Sequence, residues 1–195
     1  VINHEPAEGG ADTELLEEVF ERGPYLIKHR DKAVTKEDFE RLANAASSYI
    51  ARTKCFTEGP NLNVIIIPKG EEDRPYPSLG LRNIVRKYLL ERSLNTILNQ
   101  SLEVVEPSYK EVKVTVDVIP ESIDLAVPLE KEMLKQLKEY LHPLTGGNEK
   151  SGWKFGRGVH ISDIYALLEG IDGVEHVEAL LLNDKSEDVE IKESE

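Results

Sequence analysis

With 195 residues, 39% of them hydrophobic and 31% charged, the chain can bury a core without disulfide or metal support. Its net charge of −13 disfavours binding a nucleic-acid backbone or an anionic membrane, since both need clustered Lys and Arg. The one cysteine, Cys55, excludes an internal disulfide and a cysteine-based zinc site, and no apolar run approaches the ~18 residues of a membrane span.

Residues 1–10 are polar, end on Gly9-Gly10 and read as an arm. Asp12 or Thr13 is placed to cap a short helix carrying Leu15, Leu16, Val19 and Phe20, with Gly23-Pro24 as its stop. Thr35, followed three residues later by Asp38, predicts a second helix, and Phe39, Leu42, Ala43, Ala46 and Ile50 form its apolar stripe. Two strands flank a turn at Glu58-Gly59-Pro60-Asn61. The second, from Val64 to Ile67, is apolar on both faces and therefore central in a sheet.

Ser78 caps a helix with Leu81, Ile84, Val85, Tyr88 and Leu89 facing inward. Residues 102–105 form a strand and Pro107-Ser108 a turn. Val112, Val114, Val116 and Val118 then alternate with Glu111, Lys113, Thr115 and Asp117, the pattern of a strand with one wet face. Ser122 or Asp124 opens a long helix with Pro128 in its first turn. Its inner face is read as Val127, Glu130, Met133, Leu134, Leu137 and Leu141. A glycine-rich stretch, 144–158, precedes a short helix capped by Ser162 that carries Ile164, Tyr165 and Leu168. Gly170 is expected in a left-handed C-terminal position. A last strand covers 174–182.

The expected class is α+β. The order β-α-β-β-α-α-β suggests a ferredoxin-like α/β sandwich at 61–183, with antiparallel strands and a loop-helix insertion before the last one. Residues 1–60 would be an N-terminal arm, two helices and the first strand, and 184–195 a solvated charged tail.

The five histidines show no i,i+4 metal spacing and no HExxH. Gly147-Asn148-Glu149-Lys150-Ser151-Gly152 has the glycine spacing of a phosphate loop, but Trp153 stands where lysine is required. Adjacent acids such as Glu17-Glu18 read as solvated surface rather than a catalytic couple. No catalytic residue, metal or cofactor is therefore expected. The informative segment is His142-Pro143-Leu144-Thr145-Gly146-Gly147 followed by Gly152-Trp153-Lys154-Phe155-Gly156-Arg157. It is a helix stop, a tight glycine turn and two aromatics set between glycines. Such a loop can pack on its own domain, bind a partner, or cover a ligand as a lid. Partial home packing of Trp153 and Phe155 is expected, with Lys154 and Arg157 exposed, and Trp153, Lys154, Phe155 and Arg157 together are the expected partner-binding residues.

Three stretches carry a family resemblance: Gly10-Ala11-Asp12-Thr13-Glu14 leading to Arg30-Asp31-Lys32-Ala33-Val34-Thr35-Lys36-Glu37-Asp38-Phe39; the HPLTGG and GWKFGR segments at 142–147 and 152–157; and Ser162-Asp163-Ile164-Tyr165-Ala166-Leu167-Leu168-Glu169 with Gly173-Val174-Glu175-His176-Val177. Together they resemble the C-terminal portion of the baseplate J-like assembly proteins of contractile phage tails and related injection particles. Lys32 and Lys154 depart from the family's usual arginine and proline. The resemblance implies a non-catalytic, wedge-type structural subunit that contacts other baseplate proteins and copies of itself, assembled in the cytoplasm, without nucleic acid or membrane. Val1 at the start, with Met133 as the one methionine, fits a piece of a longer protein. The competing expectation is a small-molecule-binding or enzymatic α/β domain that uses the 146–157 loop as a lid.

Overall fold

The computed structural model describes residues 31–70, 72–93 and 102–192, preceded by residues 15, 16, 19, 20, 23, 24 and 27. The chain divides into two compact units, Val1–Pro107 and Ser108–Glu195.

The first unit is built on a capped helix laid against a sheet. Helix α1 (Lys36–Ala45) starts at Thr35, whose hydroxyl accepts the Asp38 N–H at 3.3 Å. Asp38 returns the bond, taking the N–H of Thr35 at 2.8 Å and of Val34 at 3.1 Å. This reciprocal box satisfies a buried carboxylate and the free amides of the first turn together. It also turns Phe39, Leu42 and Ala43 into the core. Ile50 joins the same core from strand β1 (Ile50–Glu58) rather than from the helix, which ends at Ala45. Glu40 stitches helix to strand by accepting the Cys55 N–H at 2.8 Å. Burial, with Glu40 adding to it, pushes the Cys55 thiol up to about 11.

Strand β1 turns at Gly59, whose φ of +58° suits the first position of a two-residue hairpin, into β2 (Asn61–Pro68). Val64, Ile65, Ile66 and Ile67 are all buried, as a central strand requires. Helix α2 (Leu79–Arg92), capped by the Ser78 hydroxyl, crosses over to β3 (Leu102–Val105), which runs parallel to β2. The C-terminus of α2 holds the segment ahead of α1. Arg92 pairs with Asp31 at 2.9 Å and lies over the Tyr88 ring, while the Ala33 N–H bonds the Arg92 carbonyl at 3.0 Å.

The second unit pairs β4 (Val114–Pro120) antiparallel with β5 (Val174–Leu182). Val112, Val114, Val116 and Val118 pack on the core while Glu111, Lys113, Thr115 and Asp117 face water, as their alternation predicts. A short 3₁₀ turn, Ile123–Leu125, leads into α3 (Ala126–Tyr140), and α4 (Ile161–Glu169) precedes β5. Ile164 and Leu168 of α4 are fully buried.

The α+β class is as expected, but the strands are shared between two sheets, in the orders β1-β2-β3 and β4-β5. The places beside β2 are filled by β1 and β3, so β4 and β5 pair with each other. The 61–183 span is thus divided near the expected Pro107-Ser108 turn, and β3 pairs parallel where an antiparallel partner was expected. Alternation sets which face is wet, but it does not select a neighbour. The four valines lie in the unit of α3 and α4, and α2 packs in the other.

Several side chains also differ from expectation. The inner face of α3 is Leu129, Met133, Leu137 and Tyr140, with Val127, Glu130 and Leu134 outside. The helix carries apolar residues on two adjacent stripes, and packing selects one. Ile84 of α2 is exposed for the same reason. Gly170 is right-handed at φ −77°, and Gly173, at φ +96°, makes the left-handed turn. Residues 184–195 are not simply a solvated tail, because Val189 is buried and exchanges two 2.9 Å backbone bonds with Val159.

Gly23, Pro24 and Ile27 have helical backbone. The arm at 1–10 and the cap at Asp12 or Thr13 lie outside the described residues. Phe39→Ala is expected to cost about 3–5 kcal/mol in urea unfolding, and Thr35→Ala about 0.5–2 kcal/mol. An unchanged midpoint for Phe39→Ala would contradict this core.

Candidate functional site

The loop from α3 to α4 must first satisfy the free carbonyls at the end of α3. Gly147 donates to the Tyr140 carbonyl at 2.7 Å, and the His142 carbonyl accepts from Gly146 at 2.9 Å and Trp153 at 3.3 Å. Gly152 closes the turn by donating to Gly146 at 2.9 Å. The His142 side chain takes part as an acceptor. Its Nδ1 accepts the N–H groups of Leu144 and Thr145, each at 3.2 Å.

Gly146 is the tightest point. A Cβ there would lie 2.5 Å from the His142 carbonyl oxygen and closer still to that of Tyr140. Both obstacles are backbone and cannot rotate away. Gly147, Gly152 and Gly156 instead have φ of +79°, +92° and +71°, the region that favours glycine.

The aromatic half folds back on its own unit. Trp153 meets Tyr140 edge to face with centroids 5.4 Å apart, and its indole N–H donates to the Arg157 carbonyl at 2.8 Å. The Arg157 guanidinium lies 4.8 Å from the Trp153 ring centre and pairs with Asp163 of α4 at 2.9 Å. Burial raises the Tyr140 hydroxyl above its ordinary range, and the Asp163 carboxylate adds to this. Trp153 and Phe155 are half-buried, as expected, and Lys154 is exposed beside Glu149 at 3.8 Å. Arg157 departs from expectation: it is half-buried and engaged at home. A planar, weakly hydrated guanidinium next to both a ring and a carboxylate gains from both contacts.

The sequence reading missed Tyr140, the Asp163 partner and Asp188. The cap of α4 is not Ser162. Asp188 takes the Ile161 N–H at 2.9 Å and the His160 ring at 2.8 Å, and both bonds hold its carboxyl below the usual range, the His160 bond most. No local pattern signals a cap supplied from 27 residues away. Among the described residues no group of three His, Cys, Asp or Glu side chains is arranged to hold a metal, and no helix is long and apolar enough to cross a membrane.

The chemistry-bearing side chains of the loop are therefore spent on the loop itself. A lid that opened would have to break the Trp153–Arg157 and Arg157–Asp163 bonds and uncover Tyr140.

No family model matches the chain, and no curated protein does. Its fold is similar to that of a baseplate chain. The match is to a cryo-EM structure of the anti-feeding prophage (AFP) baseplate, 6-fold symmetrised, with a TM-score of 0.74 and 19% sequence identity. It covers 93% of this chain and 41% of the AFP chain, so the present chain spans less than half of that neighbour's length. At this identity the likeness is one of fold.

Gly146→Ala is expected to destabilise the second unit by about 1–3 kcal/mol, because backbone must move to admit the methyl. The emission of Trp153, the sole tryptophan, should shift to the red at the same time. Wild-type stability and emission in this variant would contradict the close approach.

Proposed function

We propose that the chain is a structural, wedge-type baseplate subunit of a contractile tail or tail-like particle, and that it assembles with other baseplate proteins without catalysis. The fold likeness to the AFP baseplate chain over 93% of the sequence carries this reading. The three stretches that resemble the J-like baseplate family support it through what they do here. Asp31 to Phe39 form an anchored helix start, His142 to Arg157 a self-bonded loop, and Asp163 to Val177 the packing of α4 on β5. These are duties of a scaffold rather than of a reaction site. In the same reading Lys154, backed by Trp153, Phe155 and Arg157, forms a contact surface for a neighbouring subunit. Aromatic residues and Arg are enriched at such contacts, and here Trp153, Phe155 and Arg157 stand behind a charged rim.

The test is to purify particles from cells that express this chain with a tag alongside the adjacent genes. The chain should copurify with sheath and tube proteins in fixed stoichiometry, and deleting its gene should abolish particles in negative-stain micrographs. Normal particles without the gene would overturn the reading.

A further inference from the structure

Strand β4 is an edge of its sheet: β5 lies on one side and, among the described residues, no strand on the other. Lys113 fixes which way the main-chain groups point. Its N–H donates to Asn183 Oδ1 at 2.9 Å, and its carbonyl accepts the Asn183 N–H at 2.8 Å, so Lys113, Thr115 and Asp117 turn their backbone groups towards β5. Val114 and Val116 turn theirs away, and among the described residues no group bonds them from that side. The pairing skips Glu178 and Glu175, so both irregularities are extra residues of β5, and β4 itself runs regularly. The apolar side of this edge is incompletely covered as well. Val112, Val114, Val116 and Val118 are half-buried, whereas Val177, Leu180 and Leu182 beside them on β5 are buried. Pro120, which has no N–H to offer, ends the strand.

A regular edge with open donors and acceptors and a half-covered apolar face is a template for one more strand. The charges of β4 select the occupant. Its wet face carries Glu111, Lys113, Thr115 and Asp117, and Glu121 follows Pro120. If β4 pairs antiparallel with its own copy about a two-fold axis at Thr115, Lys113 stands opposite Asp117 twice, and Glu111 stands opposite Ile119. On the apolar face Val114 then meets Val116, and Val112 meets Val118. Charge rejects the neighbouring registers that also keep the valines on one face. An axis at Val114 opposes Glu111 to Asp117, one at Val116 opposes Glu111 to Glu121, and one at Lys113 or Asp117 opposes that charge to itself. In the Thr115 register Glu111 is only diagonal to Asp117 of the other copy, farther off than the directly opposed Lys113. Lys113 also pairs with Asp184 of its own chain at 2.8 Å, and its three N–H donors allow it to take both carboxylates. We propose that β4 pairs antiparallel with β4 of a second copy, centred on Thr115. Val114 and Val116 of the two copies exchange main-chain bonds, and the sheets join in the order β5-β4-β4-β5. The contact is isologous, so it closes at two copies. It uses only the β4 edge and stands or falls independently of the proposed function.

Sedimentation of the 195-residue chain tests it, with two single variants at exposed positions whose folding is checked by circular dichroism. The wild-type chain should pass from monomer to dimer, and no further, as its concentration rises. Lys113→Asp sets an aspartate against Asp117, and Asp117→Lys sets a lysine against Lys113, so each variant alone should dimerise more weakly by about tenfold or more. An equimolar mixture of the two should recover a 1:1 dimer, because every opposed pair is then one aspartate and one lysine. Amide exchange at Val114 and Val116 should slow in the wild-type dimer and in the mixture. A wild-type chain that stays monomeric, single variants that associate as the wild type does, a mixture no tighter than its components, or a dimer with these two amides unprotected would each overturn the proposal.

Discussion

The second unit depends on a close approach of backbone to backbone. Gly146 presses against the Tyr140 and His142 main chain where no side chain fits. That approach lets the loop reverse directly after α3, brings Trp153 onto Tyr140, and places Arg157 between the indole and Asp163 of α4. The ends of two helices are thereby tied through one aromatic pair and one ion pair. The ion pair is half-buried, so its value lies in geometry more than in net energy. Removing Asp163 would leave the Arg157 guanidinium its contact with the Trp153 ring.

The first unit meets the same need for a fixed helix end by different means. There the capping box of Thr35 and Asp38 orients α1, and Arg92 at the end of α2 holds Asp31 two residues ahead of Ala33. In both units several acidic residues are engaged with backbone amides or with an arginine. Asp38, Glu40 and Asp188 take main-chain N–H groups, and Asp163 takes Arg157.

Much of this is legible in the sequence, and the limits are physical. Thr35, Asp38 and Phe39 announce their roles because capping and helical stripes are local. The four alternating valines announce a half-wet strand, and the run from Val64 to Ile67 a central one. Choices among equivalent surfaces are not local. α3 has two apolar stripes, and only the packing of Leu129 and Tyr140 shows which lies inside. The parallel pairing of β2 with β3, the cap of α4 by Asp188 and the bridge of Val159 to Val189 join residues distant in sequence, and no spacing rule reaches them. The loop's glycines stand out in the sequence, but their reasons differ. Gly146 is required by space and Gly147 by its positive φ.

Amide hydrogen exchange most directly separates a structural knot from a movable lid. The N–H groups of Gly146, Gly147, Gly152 and Trp153 all donate to main-chain carbonyls of the loop or of Tyr140 at the end of α3. They should exchange as slowly as the amides of β4 and β5 and be released only with the unfolding of that unit. Fast exchange at these four amides while β4 and β5 stay protected would show a loop that opens on its own, and would contradict a scaffold closed by Gly146.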